Sequence, residues 1–195
     1  MMQHTLRPLY RQRGAALIIG LIFLVILTLV GVTAMQTTTL EEHIAGNNRD
    51  RNVAFQAAEA VLRDGERDIV CRNAAGTGSC ARAVPISGIS GFDNNCTNGL
   101  CYSGRTDGLF QASDGSWKPA AWQAFSMTAA PSVPYGNYTN AVAINSLASP
   151  PRYLIEGFRK WPPGSSGWRY YYRITALAVG ANNNTQVNLQ EVFVP

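Results

Sequence analysis

One uninterrupted apolar block dominates the hydropathy pattern of the chain and lies close to its N-terminus. Residues Ala15 to Ala34 read AALIIGLIFLVILTLVGVTA, without a charged residue or a proline. A helix of this length extends about 30 Å, which is the thickness of the hydrocarbon core of a bilayer. The pattern therefore predicts a transmembrane helix over residues 15–34.

A helical period continues beyond the apolar block, over residues 35–70, in which no proline occurs. Apolar residues recur there at helix-like spacing, which is typical of an amphipathic helix. The run Gly-Asn-Asn at residues 46–48 has weak helix propensity, so we expect the helix to be broken or softened there. The residues that we expect to pack on a sheet are Phe55, Ala58 and Leu62.

The last third of the chain has the pattern of β-strands. Three segments rich in apolar β-branched and aromatic residues are separated by Gly, Pro, Ser and Asn. They are Tyr153–Phe158, Trp168–Val179 and Val187–Val194, and we expect a turn at residues 180–184. The pattern predicts an antiparallel meander of at least three strands, with an apolar face that a helix can cover.

Residues 71–150 are rich in Gly, Ser, Asn and Pro, and we expect loops there, held by disulfides in place of a core. The predicted fold class is α+β: a long N-terminal helix, with a transmembrane half and an amphipathic half, packed on a small antiparallel sheet. The predicted divisions are a leader at 1–14, the transmembrane helix at 15–34, the amphipathic helix at 35–70 and a disulfide-bonded head at 71–195.

The formal charge of +4 comes mostly from the leader. Arg7, Arg11 and Arg13 precede the apolar block, and without residues 1–14 the chain has 13 basic and 12 acidic residues. The charge therefore gives no reason to expect a nucleic-acid partner. Basic residues on this side of a membrane segment predict that the N-terminus is cytoplasmic and that the remainder lies outside the inner membrane.

The four cysteines all lie in the part predicted to be outside the membrane. An even number of cysteines in an oxidising compartment predicts two disulfides, for which three pairings are possible. We favour Cys71–Cys80 and Cys96–Cys101, because short loops close most readily. No CxxC motif occurs and the head has no histidine, which argues against a zinc site.

Motifs of catalysis are not found in the sequence. The histidines are His4 and His43, both outside the predicted head, and no GxSxG, Walker or HExxH motif occurs. We therefore expect no enzyme activity, no catalytic residue, no cofactor and no metal. Residues 93–95, Asp107 and Asp114 could take part in calcium loops, but they lack the EF-hand spacing and resemble ordinary surface turns.

A loop with a tryptophan at each end joins two of the predicted strands. Residues 161–168 read WPPGSSGW. One interpretation is a plain hairpin loop. The other is an exposed aromatic contact for a partner, since tryptophan is enriched in binding hot spots. The sequence leaves both open.

The junction between the leader and the apolar block allows three interpretations. The block could be a secretory signal cleaved after Ala34, although such signals are usually shorter. It could be a plain single-pass anchor. In the third, which we favour, a protease on the cytoplasmic face cuts after Gly14 and leaves the apolar helix at the start of the mature chain, with Ala15 first.

The residues around this junction resemble the leader of type IV prepilins. Further on, residues 35–42 (MQTTTLEE), 45–52 (AGNNRDRN) and 54–60 (AFQAAEA) resemble the N-terminal region of the PilX family of minor pilins. The resemblance implies a pilin-like fold and a structural role. It also implies cleavage by a prepilin peptidase, N-methylation of the new N-terminus, and passage from the inner membrane into an extracellular pilus.

The same resemblance implies particular partners. PilX-type minor pilins join other minor pilins in a complex that primes polymerisation of the major pilin and holds a PilY-type tip adhesin, which supports adhesion and twitching motility. Two alternatives remain open. One is a K-type pseudopilin of type II secretion, and the other is a signal-anchored periplasmic binding protein.

One position departs from the pilin pattern. Most pilins carry a glutamate at the fifth position of the mature chain, which is Ile19 here if Ala15 is the first. No acid occurs between Ala15 and Leu40. The departure argues against a repeating, major subunit, and it is similar to the K-type pseudopilins, which also lack that acid.

The first prediction is that the mature chain begins at Ala15. Mass spectrometry of the mature protein should show Ala15 as an N-methylated N-terminus, and a Gly14→Val variant should remain uncut in the membrane. Cleavage after Ala34 in the wild type would contradict the pilin interpretation, because the apolar helix would then be lost.

Overall fold

The computed structural model describes residues 15–105 and 107–195. The chain divides into two compact units, Met1–Asn47 and Asn48–Pro195, of which the second contains the head. We describe each unit by itself.

The first element, α1, is a helix over Ala15–Ile69 that includes both predicted helical segments. The break expected at residues 46–48 is not present, and the helix continues through them. Glycine and asparagine each cost at most about 1 kcal/mol in a helix relative to alanine, which the helical runs on both sides outweigh. The boundary between the two compact units nevertheless falls here, after Asn47.

Within the described residues, the head contains seven strands and a second, four-residue helix. The strands are β1 (Leu100–Cys101), β2 (Phe110–Gln111), β3 (Trp117–Lys118), β4 (Val133–Pro134), β5 (Arg152–Lys160), β6 (Arg169–Val179) and β7 (Gln186–Phe193). The helix α2 covers Ala121–Ala124 and follows β3.

The three long strands form the predicted meander. β5 pairs with β6, and β6 with β7, both antiparallel, with Ile155 opposite Ile174 and Ala176 opposite Leu189. Two short strands lie along the other edge of β5, where β4 is antiparallel and β1 is parallel. The main sheet is therefore mixed rather than wholly antiparallel, because β1 enters it from the loop region.

The buried face of α1 consists partly of small residues. Ala57 and Ala58 are at most 4% exposed and Leu62 is 9% exposed, whereas Phe55 is 44% exposed. The prediction that Phe55 packs on the sheet was therefore wrong, while Ala58 and Leu62 do lie on the buried face. The alanines cluster with Ala178 of β6, and such small side chains let a helix and a strand approach closely.

The main core lies between α1 and the sheet, and the loop region contributes to it. Strand side chains from β5 and β6 pack on the last three turns of the helix, and one residue each from β1, β4 and the loop before β1 completes the cluster. The fully or nearly buried members are Val61, Leu62, Ile69, Tyr153, Ile155, Tyr172, Ile174, Ala176, Phe92, Leu100 and Val133.

A second, smaller core covers the opposite face of β5. Leu154 is buried there with Phe110, Met127 and the Cys96–Cys101 disulfide. The prediction that disulfides replace a core in residues 71–150 was therefore wrong, since the disulfide is part of one. Burial on both faces explains why successive residues of β5, from Tyr153 to Gly157, are all buried.

The second prediction concerns the contact of Gly65 in α1 with β6. A Cβ at Gly65 would lie 2.8 Å from Cγ2 of the fully buried Ile174. Overpacking costs about 1–3 kcal/mol, against a gain in helix propensity of up to about 1 kcal/mol. We expect Gly65→Ala to lower the free energy of unfolding by about 1 kcal/mol, measured by urea denaturation.

Gly46→Ala provides the matched control. It is the same substitution in the same helix, at a position where a Cβ meets nothing within 4 Å. We expect this variant to be at least as stable as the wild type. Equal stability of the Gly65→Ala and Gly46→Ala variants would contradict the prediction, because the protein would then accommodate a methyl group at residue 65 beside Ile174 without loss of stability.

Candidate functional site

The apolar part of α1 presents its large side chains outward. Leu17 is 75% exposed, Ile19 is 53% exposed and Phe23 is 62% exposed. Among the described residues, α1 is the helix that is long and apolar enough to span a membrane. Such a surface is suited to lipid or to the helices of other subunits rather than to water.

The predicted processing and assembly residues lie at the start of this helix. Gly14 lies outside the described residues, and Ala15 is the first residue of α1. Ile19 lies one turn further on. Because no acid occurs from Ala15 to Leu40, the segment carries no carboxylate that would need a partner inside a bilayer.

The four predicted disulfide residues are brought together in sequence-adjacent pairs. Cys71 is bonded to Cys80, and Cys96 to Cys101, which is the pairing favoured from loop length. The first bond follows the C-terminus of α1, where Cys71 has a positive φ of 52°. The second joins the second core to β1.

A buried ion pair ties the end of α1 to the loop region and to the sheet. Asp68 accepts two hydrogen bonds from the Arg82 guanidinium, at 2.8 and 2.6 Å, and a third from the Tyr153 hydroxyl at 2.8 Å. Asp68 and Tyr153 are fully buried and Arg82 is 8% exposed. Arg82 also donates to the carbonyl of Asn98 and lies 3.8 Å from the ring centroid of Tyr138.

These contacts alter the acid–base behaviour of the two partners of Asp68. Burial by itself would lower the pKa of Arg82, but the hydrogen bonds and the charge of Asp68 outweigh it and raise that pKa. Burial and the nearby Asp68 carboxylate raise the pKa of Tyr153 well above 10. Arg82 therefore stays charged and Tyr153 stays a neutral hydrogen-bond donor at physiological pH.

A second buried carboxylate lies one helical turn earlier. Asp64 is fully buried and accepts hydrogen bonds from the Thr139 hydroxyl and, at 2.8 Å, from the N–H of Gly136. Burial raises the pKa of Asp64, and the two hydrogen bonds offset this only in part. Asp64 thereby holds residues 136–139 on the helix, as Asp68 holds Arg82.

A third carboxylate of α1 holds the turn between β6 and β7. Asp50 is 7% exposed and accepts a hydrogen bond of 2.6 Å from the N–H of Ala181. The Thr185 side chain lowers the pKa of Asp50 against the effect of burial, and backbone N–H groups of the turn add to the lowering. Its stabilising contribution is therefore present above pH 3.8 and is lost as the pH falls through the lowered pKa.

On the opposite face of β5, Glu156 joins three elements of the head. It is 1% exposed, accepts two hydrogen bonds from Arg173 of β6 at 2.7 and 2.6 Å, and accepts another from the N–H of Ala121 in α2 at 3.0 Å. This interaction holds α2 against the sheet. Three buried or nearly buried acids, Asp50, Asp64 and Asp68, thus connect irregular segments of the head to α1, while Glu156 connects α2 to the sheet.

A cleft of 510 Å³ opens beside the last residues of β5. One wall is β5 from Gly157 to Lys160 together with Trp168, and the other is the chain that follows β1, including Arg105 and Asp107. Arg105 lies 4.1 Å from the ring centroid of Trp117 and bonds Asp107 at 2.6 Å. This bond lowers the pKa of Asp107 to about 2.

The tryptophan loop closes the β5–β6 hairpin at the mouth of this cleft. Trp161 and Trp168 are 55% and 52% exposed, and their rings meet edge to face with centroids 5.6 Å apart. The guanidinium of Arg159 lies 5.1 Å from the ring centroid of Trp168. The loop is therefore a hairpin connection, and its aromatic rings also remain available at the surface.

Family models match both halves of the chain. The PilX N-terminal model matches residues 13–63, and the model described as type IV pilus assembly protein PilX C-term matches residues 97–195. The chain belongs to the PilX family. No curated protein and no solved structure matches it.

The PilX-family match includes the irregular part of the head from residue 97 onward, where the sequence alone was least informative, but not residues 64–96. It begins just before Gly14 and Ala15, and its second part begins at Thr97 and includes every strand of the sheet. The chain is therefore a type IV pilus assembly protein with a pilin-like layout, in which a long apolar N-terminal helix is joined to a helix-on-sheet head.

The Asp- and Asn-rich turns considered for calcium form local hydrogen bonds in this PilX-family head. Asp93 accepts from the N–H groups of Asn95 and Thr97, and Asp114 accepts from Ser116. Within residues 15–105 and 107–195, no group of three or more His, Cys, Asp or Glu side chains is placed to hold a metal ion.

Sequence reasoning missed the buried acids of α1 and the open cleft of this PilX-family chain. A signal for the acids was present, since Asp64 and Asp68 follow Ala57 and Val61 at helical spacing on the buried face. No comparable signal existed for the cleft, because its walls are far apart in sequence.

The third prediction tests the buried pair of Asp68 and Arg82. Asp68→Asn removes the charge at nearly constant size and leaves Arg82 buried without a counter-charge. Breaking a buried pair in this way costs about 3–5 kcal/mol. We expect a loss of that size in the free energy of unfolding, measured by urea denaturation of the oxidised protein.

Asp107→Asn is the control for this experiment. It removes the same kind of charge from an ion pair with Arg105 whose two side chains are 46% and 40% exposed. We expect no measurable change in stability there, since solvent screens exposed pairs. Similar losses in both variants would contradict the assignment of the Asp68 pair as structural.

Proposed function

We propose that this chain is a minor pilin that takes part in initiating type IV pilus assembly. In this role it joins other minor pilins and a PilY-type tip adhesin in a complex at the pilus tip, and it primes polymerisation of the major pilin. It acts by non-covalent packing and not as an enzyme. Family membership supports the assembly role, and the composition of the apolar helix supports the position at the tip.

The mechanism requires two environments for one helix. Residues 15–34 first lie in the inner membrane, with the N-terminus in the cytoplasm, and later pack beside the helices of other subunits. Their outward-facing side chains, such as Leu17 and Phe23, suit both surroundings. Cleavage after Gly14 by the prepilin peptidase leaves Ala15 as a free, then methylated, N-terminus that can enter the fibre with the helix.

The tip position is supported by the apolar side chain of Ile19, which stands where most pilins carry a glutamate. A glutamate at this place in ordinary pilins is thought to meet the N-terminal amine of a neighbouring subunit during addition. An unpaired carboxylate in the bilayer or the fibre costs several kcal/mol. A subunit that enters first has no earlier neighbour to meet, so an acid would bring that cost without the compensating pair.

The fourth prediction follows from this position. Deletion of the gene should reduce the number of pili per cell while the length of the remaining pili stays normal, because initiation rather than elongation is lost. Gold particles directed at an epitope on the head should mark fibre ends. Both are measured by electron microscopy, with complementation by the wild-type gene as the control for polar effects.

Two other outcomes of these experiments would lead to different conclusions about the role of the chain. Gold spread evenly along the shaft, with normal pilus numbers after deletion, would contradict the tip position but leave family membership intact. Unchanged piliation together with loss of protein secretion would instead favour the pseudopilin alternative.

A further inference from the structure

The outer edge of β5 is covered along only part of its length. β4 pairs with Arg152 and Tyr153, and β1 pairs with Ile155 and Glu156. Residues 157–160 pair with β6 on one side, and within the described residues no strand lies on their other side. Since alternate residues of a strand direct N–H and C=O to each side, this stretch presents unpaired backbone groups.

The open edge faces the 510 Å³ cleft, so there is space beside it. The chain that leaves β1 forms the far wall instead of continuing along β5. Four residues of extended chain span about 13 Å, and the unpaired stretch of β5 has that length. The arrangement leaves a place for one further strand, in line with β1.

The cleft is also lined by three cations, of which two have no neutralising partner among the described residues. Its cations are Arg105, Arg159 and Lys160, and its single acid is Asp107, which Arg105 already bonds. No carboxylate of the described residues forms an ion pair with Arg159 or Lys160. Two exposed cations beside an open strand edge favour an extended segment that carries acids.

The tryptophan loop supplies an apolar contact at the same place. Trp168 lines the cleft, its ring is held by Trp161 and Arg159, and it is half exposed. Tryptophan and arginine are the residues most often found where binding energy is concentrated in protein interfaces. Their prior contact reduces the side-chain entropy that binding would cost.

We propose that this cleft is a docking site for an extended acidic segment of a partner protein, which adds to β5 as a strand along Gly157–Lys160. The inference rests on the proposed role in assembly, in which the head binds other proteins. The open edge favours a polypeptide over a nucleic acid or an anionic polysaccharide, because only a polypeptide offers the backbone groups that complete a sheet.

The binding test uses the full-length chain in nanodiscs of zwitterionic lipid. The probe is a ten-residue fluorescent peptide in which Glu alternates with Val, followed by fluorescence anisotropy. We expect binding that weakens as salt is raised. Arg159→Glu combined with Lys160→Glu should weaken it at least about tenfold, because the charge complementarity is reversed. A peptide with Lys in place of Glu should not bind.

The matched control reverses two cations elsewhere on the same head. Arg63→Glu combined with Arg72→Glu changes the net charge equally at exposed positions outside the cleft. We expect this variant to bind the acidic peptide as the wild type does. Equal loss in both double variants would overturn the proposal, because binding would then depend on overall charge alone.

Hydrogen exchange separates strand addition from simple charge attraction. With the peptide bound, we expect the amide of Arg159, which faces the open edge, to exchange at least about tenfold more slowly, while those on the outer edge of β7 stay unchanged. Binding without this protection would overturn the proposed strand addition. Binding of oligothymidylate or a sulfated oligosaccharide in place of the peptide would overturn the choice of a polypeptide.

Failure of this inference can be told apart from failure of the proposed function. The peptide experiments need no pili, so they decide on the cleft alone. Pilus counts after gene deletion decide on the assembly role alone. A strain with the Arg159→Glu and Lys160→Glu substitutions should resemble the deletion strain in pilus number if both hold, with the chain still present at wild-type amounts in the membrane.

Discussion

Two carboxylates that α1 buries one turn apart, those of Asp64 and Asp68, determine how the head is arranged. A carboxylate without partners in such surroundings is strongly destabilising, so the chain must bring donors to both. The donors come from distant parts of the sequence: Arg82, Thr139 and Tyr153. The hydrogen bonds to Asp64 and Asp68 therefore attach both the irregular middle of the chain and strand β5 to the helix.

The regular elements could be predicted from the sequence because their patterns are local. The strand predicted at Tyr153–Phe158 corresponds to β5, and the one at Trp168–Val179 begins one residue before β6. The prediction of which α1 residues are buried against the sheet was less accurate. Phe55 fits the helix-like spacing of apolar residues, but the close approach of helix and sheet at Ala178 requires alanines, and spacing alone did not show that Phe55 lies outside the buried face.

The short strands and core residues of the irregular region, residues 71–150, could not be predicted for a different reason. Phe92, Leu100, Phe110 and Val133 lie in segments rich in Gly, Asn, Ser and Pro, where no regular period identifies them as core. They become a core only when β1 and β4 lie beside β5, and those strands have two residues each. The same non-local pairing leaves the end of β5 open, so the candidate docking site could not be predicted from neighbouring residues either.

The exposed apolar surface of the N-terminal helix has a consequence for where the molecule can exist. Thirteen Leu, Ile, Val and Phe residues of the segment from Ala15 to Ala34 would be hydrated in free solution, at an unfavourable free energy on the order of 20–40 kcal/mol. That exceeds the net stability of a typical domain, about 5–15 kcal/mol. This segment therefore needs a cover of lipid or of other apolar helices, and under the proposed role in pilus assembly it would leave lipid only as neighbouring helices arrive.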